Sequence, residues 1–535
     1  LFDLVRRAAR LSTSARRAGE PHLEHAERLR EAYQRARLDR RTFLRATGGA
    51  AALAAFPVLT TGCSSDAGAR VGIVGAGLAG LHCAHRLARA GVDVQVFEAW
   101  NRTGGRTFTA RGMLAGGQLV ELGGELIDSG HATMRGLVEE LGLTLDDLTE
   151  TGGARAETFY FDGAVRTEAE VVEAFETVSP ALASAFAAAE GDEAEYERLD
   201  NLSIPEFLDS IPDASDLIKN ILQVAYVGEY GLEADEQSIL NVVYLIDSET
   251  TDPFRIFGDS DERYHIHEGS EAIAEALTTQ HASRIRLEHR LVAIRSASDG
   301  GIVLVFDVAG GGTVEETFDH VVLTLPFTQL RTVEIEAGLI PADKGQVIAE
   351  LGYGTNAKLM MQFDRKPWRE DHGAGGSGFA DNGAQTFWET SRGQAGTQGI
   401  LTYYTGGVVG VGLGTGTPVE RARQALPAFD AIFPGTEAAF NGMALRMHWP
   451  SAPFHGGSYA CYRPGQWAFY ELEGRREGRL HFAGEHTSLD FQGYMEGAAE
   501  TGARAAMDIL VELGLAQPVA PLRERSRRRR RRMAA

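Results

Sequence analysis

The sequence of 535 residues predicts an α/β protein in which a Rossmann-like domain, assembled from separated stretches of chain, is interleaved with an α+β domain. Three observations carry that prediction. Residues 71–98 read as strand, glycine turn, helix and strand in succession. Short buried-strand patterns of the same kind return at residues 320–324 and 480–483. The chain between them reads first as helices and later as β-rich segments. A chain this long does not fold around a single core, so two or three domains are expected.

The first unit begins with the apolar run Val71 to Val74, short and bounded by glycine, as in a buried parallel strand. Gly75, Gly77 and Gly80 follow in the G-x-G-x-x-G spacing. The first permits a tight turn, the second lets backbone approach a pyrophosphate, and the third lets the helix pack closely on the strand. Leu78, Leu81, Ala84, Leu87 and Ala88 share one helical face, and Gly91 stops the helix. A second strand, 92–97, ends at Glu98, 18 positions beyond Gly80. A carboxylate there accepts hydrogen bonds from a ribose, and suits a free 2′-OH better than a 2′-phosphate. The whole unit indicates a bound dinucleotide; the glycines alone do not separate NAD from FAD.

Residues 131–245 read mostly as helices, at 134–143, 167–190 and 217–227. Glu268-Gly269-Ser270 opens an apolar-periodic helix to Leu277. Strands follow at 284–287 and 290–294, then a hairpin over 301–318 and a strand at 320–324 closed by Pro326. Residues 331–450 look β-rich, with Lys358 leading into an apolar strand at 360–363. Lysines are rarely buried without a partner, so Lys358 calls for an answering group. The strand 480–483 delivers Gly484-Glu485 to its carboxyl end, the ligand edge of an α/β sheet. A helix over 499–513 meets Gly514. Its N-terminal region near Met495 offers N–H groups and the positive end of a dipole.

Composition narrows the function. Apolar residues are 44% and charged residues 24%, ordinary for a soluble protein. Cys63, Cys83 and Cys461 have neither metal spacing nor a disulfide framework, so no metal site is expected. The net charge is −22, and the arginine-rich stretches 1–62 and 522–535 mask an even more acidic body. That body argues against nucleic acid as a partner and would steer a cationic substrate. Near the start, Arg40-Arg41 precede Thr42-Phe43-Leu44 and an apolar run at 46–59, a pattern that resembles a twin-arginine (Tat) export signal. The run ends Leu59-Thr60-Thr61-Gly62-Cys63, which resembles a lipoprotein cleavage box with Cys63 lipidated. The expectation is export to the periplasm or cell envelope, with peripheral membrane attachment. Residues 515–535, nearly pure arginine from 523 to 532, are expected to form a disordered tail.

Four further motifs fall in a familiar order. They are Arg102-x-Gly104-Gly105-Arg106, Glu121-x-Gly123-Gly124-Glu125, Lys358 at its strand, and the closing Ser458-Tyr459 … Gly484-Glu485 … Gly493-Tyr494-Met495 series. Over residues 68–514 the chain resembles the flavin-containing amine oxidases, the group of monoamine, polyamine and L-amino-acid oxidases. That likeness implies a glutathione-reductase-like FAD domain from 68–130, 264–330 and 451–514, and a substrate domain from 131–263 and 331–450. It implies FAD contacts at Gly75, Gly77, Gly80, Glu98, Gly105, Arg106, Gly123, Gly124, Glu125, Glu485 and Met495, with Val292 clasping the adenine through its backbone. Lys358 would hold the flavin N5 through water, and Tyr459 and Tyr494 would wall an aromatic cage. Its partners would be a small amine or amino acid, O2 (giving H2O2) or another electron acceptor, and a second copy in a homodimer. Two departures refine this. Ser458 stands where monoamine oxidases carry a flavin-linked cysteine, so the FAD is expected to be held non-covalently. No arginine follows the second glycine pair, where one group of L-amino-acid oxidases grips the substrate carboxylate. Glu125-Leu126-Ile127 stands there instead, which favours amines lacking an α-carboxylate and leaves basic L-amino acids as the alternative. Glu125 itself can meet a cationic group.

Overall fold

In the computed structural model, residues 68–149, 157–249 and 251–517 are described. The export and lipidation readings at Arg40-Arg41 and Cys63, and the arginine run of the tail, lie outside the described residues.

A five-stranded parallel sheet organises the chain, in the order Leu480–Phe482, His320–Leu323, Arg70–Val74, Asp93–Phe97, Ile285–Arg286. Val71, Ile73 and Val96 are fully buried because both faces of this sheet are covered, which explains their unbroken apolar run. On one face lie the helices Leu78–Arg89 and Met495–Glu512, packed through Leu81, Ala84, Leu87, Ala505 and Ile509. On the other, Phe97 stacks on Phe306 with ring centroids 4.2 Å apart, and meets Phe318 edge-on. Those two rings belong to a four-stranded sheet built on the hairpin Ile302–Val308 and Thr313–Phe318.

A seven-stranded mixed sheet forms the second layer system. Toward one edge, Ala357–Phe363 lies between the edge strand Phe440–His448 and Gly399–Thr405. All seven residues of Ala357–Phe363 are buried. Helix Asp216–Tyr230 lies beside this sheet, and its Ile218, Ile221, Leu222 and Ala225 join a helical core.

Three features differ from the sequence reading, each because packing partners far along the chain decide them. Helix Ala132–Leu141, placed by sequence with the substrate domain, buries Met134, Leu137 and Val138 in the core under the parallel sheet. Strand Glu334–Ile335 pairs with His289–Ser296, and Val347 and Ile348 pack against the same hairpin core, so this part of 331–450 belongs with the nucleotide side. The helical stretch 131–245 also contributes the strand Thr158–Phe161. It joins the seven-stranded sheet through Gly378–Ala380, more than 200 residues later.

Candidate active site

One elongated cavity runs from the carboxyl ends of the parallel strands to the seven-stranded sheet. At the first end the glycine turn divides its tasks. A side chain at Gly80 would bring Cβ within 2.0 Å of the Gly75 carbonyl, so this glycine closes the turn on the helix and stays out of the cavity. At Gly77 a Cβ would meet nothing within 4 Å, and the space it leaves faces the cavity at the start of helix Leu78–Arg89. No side chain caps that helix, so its first-turn N–H groups remain for an anion.

Gly104 N–H donates to the Ala76 carbonyl at 2.8 Å, which seats the second glycine pair against the first. Glu98 lines the cavity and accepts from the N–H groups of Ala76 and Trp100, both at 2.8 Å. Burial raises its pKa despite these bonds. Arg102 does not line the cavity. It donates to the carbonyls of Gly105 and Thr107 and to Glu271, and its guanidinium lies 3.9 Å from the Phe108 ring centroid, so it clamps the loop. Arg106 faces the cavity and donates to the Ser458 carbonyl and to Glu485 Oε1, the latter at 2.9 Å. The second Glu485 oxygen accepts from Gly493 N–H at 2.9 Å. Met495 opens the Met495–Glu512 helix and packs its side chain against Gly124.

Space, helix terminus and ribose acceptor together fit a dinucleotide cofactor. Gly75, Gly77, Glu98, Gly105, Arg106, Glu485 and Met495 all border the cavity. Val292 does not. It sits where the pairing of His289–Ser296 slips register between Leu291 and Ala293, and its neighbours Arg290 and Leu291 form the wall instead.

At the other end the answering group for Lys358 appears. Its Nζ donates to Gly123 O at 2.8 Å, Glu121 O at 3.2 Å and Glu125 Oε2 at 2.8 Å. An ammonium has three N–H groups, and all three are engaged. Glu125 accepts on its other oxygen from Trp388 Nε1, at 2.9 Å, and from Thr390 Oγ1. Burial works to raise the Glu125 pKa, but Lys358 outweighs it and the carboxyl is held below its usual range. The Glu125 side chain, expected from sequence among the cofactor contacts, is therefore spent on protein partners.

Tyr459 and Tyr494 both line this end, with Trp388 and Tyr404 beside them. Tyr494 OH donates to Glu229 Oε1 at 3.1 Å, and Tyr459 OH donates to the Glu229 carbonyl. The hydroxyls of Tyr404 and Tyr459 are 2.7 Å apart, and Trp388 meets Tyr404 edge-on at 5.3 Å. Ser458 is buried, with its Oγ donating to Asn356 Oδ1 at 2.5 Å.

Sequence reasoning missed Glu229, Glu262, Asp128, Trp388 and Tyr404. Asp128 Oδ1 accepts from the N–H groups of Asp261 and Glu262, at 3.2 and 2.7 Å, and fixes Glu262 at a left-handed φ of 42°. His131 Nε2 lies 3.3 Å from Asp128 Oδ2, and its ring meets Tyr494 edge-on at 5.5 Å. Glu262 lines the cavity with an exposed side chain, ringed by protein on its other sides. Burial, then repulsion from Glu229, Asp128, Glu157 and Glu125, pushes its carboxyl up to about 8. Burial pushes Glu229 up to about 7.

Comparison with known proteins meets this geometry. The family model "Flavin containing amine oxidoreductase" matches residues 78–510. The dog flavin-containing amine oxidase A is 25% identical over 475 residues, covering 83% of this chain and 85% of its own. An L-amino acid dehydrogenase of Synechocystis is 26% identical over 470 residues, covering 82% of this chain and 94% of its own. Among solved structures, cyclohexylamine oxidase from Brevibacterium oxydans superposes with a TM-score of 0.73 at 22% identity, over 84% of this chain and 100% of that one. The last likeness concerns the fold.

Proposed function

Since this chain belongs to the flavin-containing amine oxidoreductases and is an FAD-dependent enzyme, we propose that it oxidises the C–N bond of an amine lacking an α-carboxylate, seated between Tyr459 and Tyr494, with O2 as the final acceptor. The observation that carries this choice is charge. Of the basic side chains lining the cavity, Lys358 is held by Glu125, Arg106 by Glu485, and Arg290 by Asp307 at 2.6 Å. A substrate carboxylate entering the cavity meets carboxylates and, among the described residues, no unpaired arginine or lysine.

The protein's part is positioning and electrostatics. The two tyrosine rings wall the substrate and exclude water, and their hydroxyls are anchored on Glu229 so that the walls keep their spacing. The reacting amine has to be unprotonated, because its nitrogen lone pair assists loss of the adjacent C–H. Gly77, Glu98 and Arg106 would hold FAD along their end of the cavity, and the bound cofactor would supply the acceptor for that hydrogen and its electron pair. The start of helix Met495–Glu512 presents its positive dipole end beside Gly124, where it stabilises negative charge. The oxidised product is an imine, which water hydrolyses to a carbonyl compound and ammonia or a smaller amine. Ser458, engaged with Asn356, offers no thioether link, which supports a non-covalent cofactor.

The relative from Synechocystis keeps L-amino acids as a second reading. Anaerobic mixing of the yellow holoenzyme with separate amine and L-amino-acid pools, followed at the oxidised-flavin absorption band, separates the two. Bleaching by amines is the expected result. Bleaching by L-amino acids alone establishes the second reading, and no bleaching by either pool removes both.

A further inference from the structure

Lys358 and Glu125 form one closed account at the substrate end, and Glu229 and Glu262 form an open one. Both of the latter line the cavity within the tyrosine and tryptophan cluster. Glu229 projects from the last turn of helix Asp216–Tyr230, and its Oε1 accepts from Tyr494 OH. Glu262 is presented by a turn whose backbone is fixed by Asp128, and Asp128 is itself held by His131 against the back of Tyr494. Among the described residues neither Glu229 nor Glu262 forms an ion pair, although Arg263 next to Glu262 is committed to Asp147 at 2.5 Å.

Two carboxyls that line one cavity, with no ion-pair partner among the described residues, give it a negative potential that a ligand's positive charge can answer. The ligand of this cavity is an amine, and the amine being oxidised must itself be neutral. The compensating charge has to sit elsewhere on the same molecule.

Building on the functional reading above, we propose that the substrate carries a second, distal positive charge, an ammonium or guanidinium, which Glu229 and Glu262 bind while the neutral amine lies between Tyr459 and Tyr494. Asp128 and His131 are positioning residues in this scheme: they aim Glu262 and brace Tyr494 without reaching the substrate's cation. An α,ω-diamine or polyamine meets the requirement, and so does the side chain of a basic amino acid.

Three compounds of matched length divide the possibilities: cadaverine, L-lysine and n-pentylamine, each used in steady-state and anaerobic reduction kinetics with the flavin-loaded enzyme. A charge-assisted contact predicts a kcat/KM for cadaverine about 10- to 100-fold above that for n-pentylamine. Glu262→Gln, checked for full flavin content, shrinks that ratio about tenfold, mostly through KM, and Glu262→Asp restores part of it. Asp128→Asn lowers the ratio in the same direction by releasing the turn. Equal kcat/KM for cadaverine and n-pentylamine overturns the proposal and leaves amine oxidation standing. So does a ratio untouched by Glu262→Gln. If L-lysine exceeds cadaverine, the distal-cation site stands and the carboxylate-free reading falls. If no compound reduces the flavin, the amine reading itself fails and takes this proposal with it.

Discussion

At the Gly77 end of the cavity the protein answers its own charges: Arg106 rests on Glu485, and Glu98 is met by two backbone N–H groups. At the Tyr494 end the answer stops partway. Lys358 and Glu125 satisfy each other, but a few side chains further on Glu229 and Glu262 face the same space with no ion-pair partner among the described residues. The difference matches what each end holds. A resident cofactor calls for walls that are complete before it binds and afterwards. A substrate that comes and goes can leave part of the electrostatic complement to itself, and that part is where selectivity resides.

Breaking the closed side should have the largest effect. Lys358→Met leaves Glu125 buried without its cation, and a cost of about 3–5 kcal/mol in stability follows, with loss of turnover. Thermal unfolding checks it, and Lys358→Met combined with Glu125→Leu should recover most of the lost melting temperature. An unchanged melting temperature in the single variant would mean the pair is not buried as described. A smaller effect separates the two glycines. Gly80→Ala forces Cβ onto the Gly75 carbonyl and should cost about 1–3 kcal/mol. Gly77→Ala meets no protein atom, so the fold should keep its stability while flavin absorbance per mole of protein falls. If both variants hold FAD equally, the cavity beside Gly77 is not the pyrophosphate seat.

The open side should show itself most gently, through pH. The carboxyls of Glu229 and Glu262, pushed up to about 7 and about 8, bind protons in the folded state at pH values where the unfolded chain has released them. Their contribution to stability is full below the ordinary glutamate pKa of about 4.3 and is lost as pH rises through about 7 to 8. Asp128, Glu125, Glu157 and Glu229 act on Glu262, and Asp128 and Tyr494 act on Glu229, so among the described residues no neighbouring cation reverses the sign. The melting temperature of substrate-free holoenzyme should fall across that window, and Glu229→Gln with Glu262→Gln should flatten the slope. Cadaverine should do the same by supplying the missing charge.

The two ends were also unequally legible. Backbone approach to a phosphate is local chemistry, so Gly75, Gly77, Glu98, Gly105 and Arg106 appear as short motifs in the order they are used. Lys358 was readable because an ammonium among apolar strand residues demands a partner, and Glu125 is able to meet a cation; that the two meet each other depends on the fold across a sequence separation of 233 residues. Trp388, Tyr404, Glu229 and Glu262 come from separate segments with no shared spacing. The one signal available for Glu229 was a glutamate between Gly228 and Tyr230, following the apolar stretch 224–227 at the end of its helix. Domain membership failed for the same reason at Ala132–Leu141 and Glu334–Ile335, whose own patterns fit either core.

Lys358 stands on the strand next to the edge of the seven-stranded sheet, while the carbonyls and carboxylate it grips belong to Glu121 and the turn that follows it, on the nucleotide side. Swinging the two halves apart would strand an ammonium and a carboxylate with each parting, at every catalytic cycle. Lys358 therefore rivets the seven-stranded sheet to the nucleotide side, at the wall of the cavity the two share.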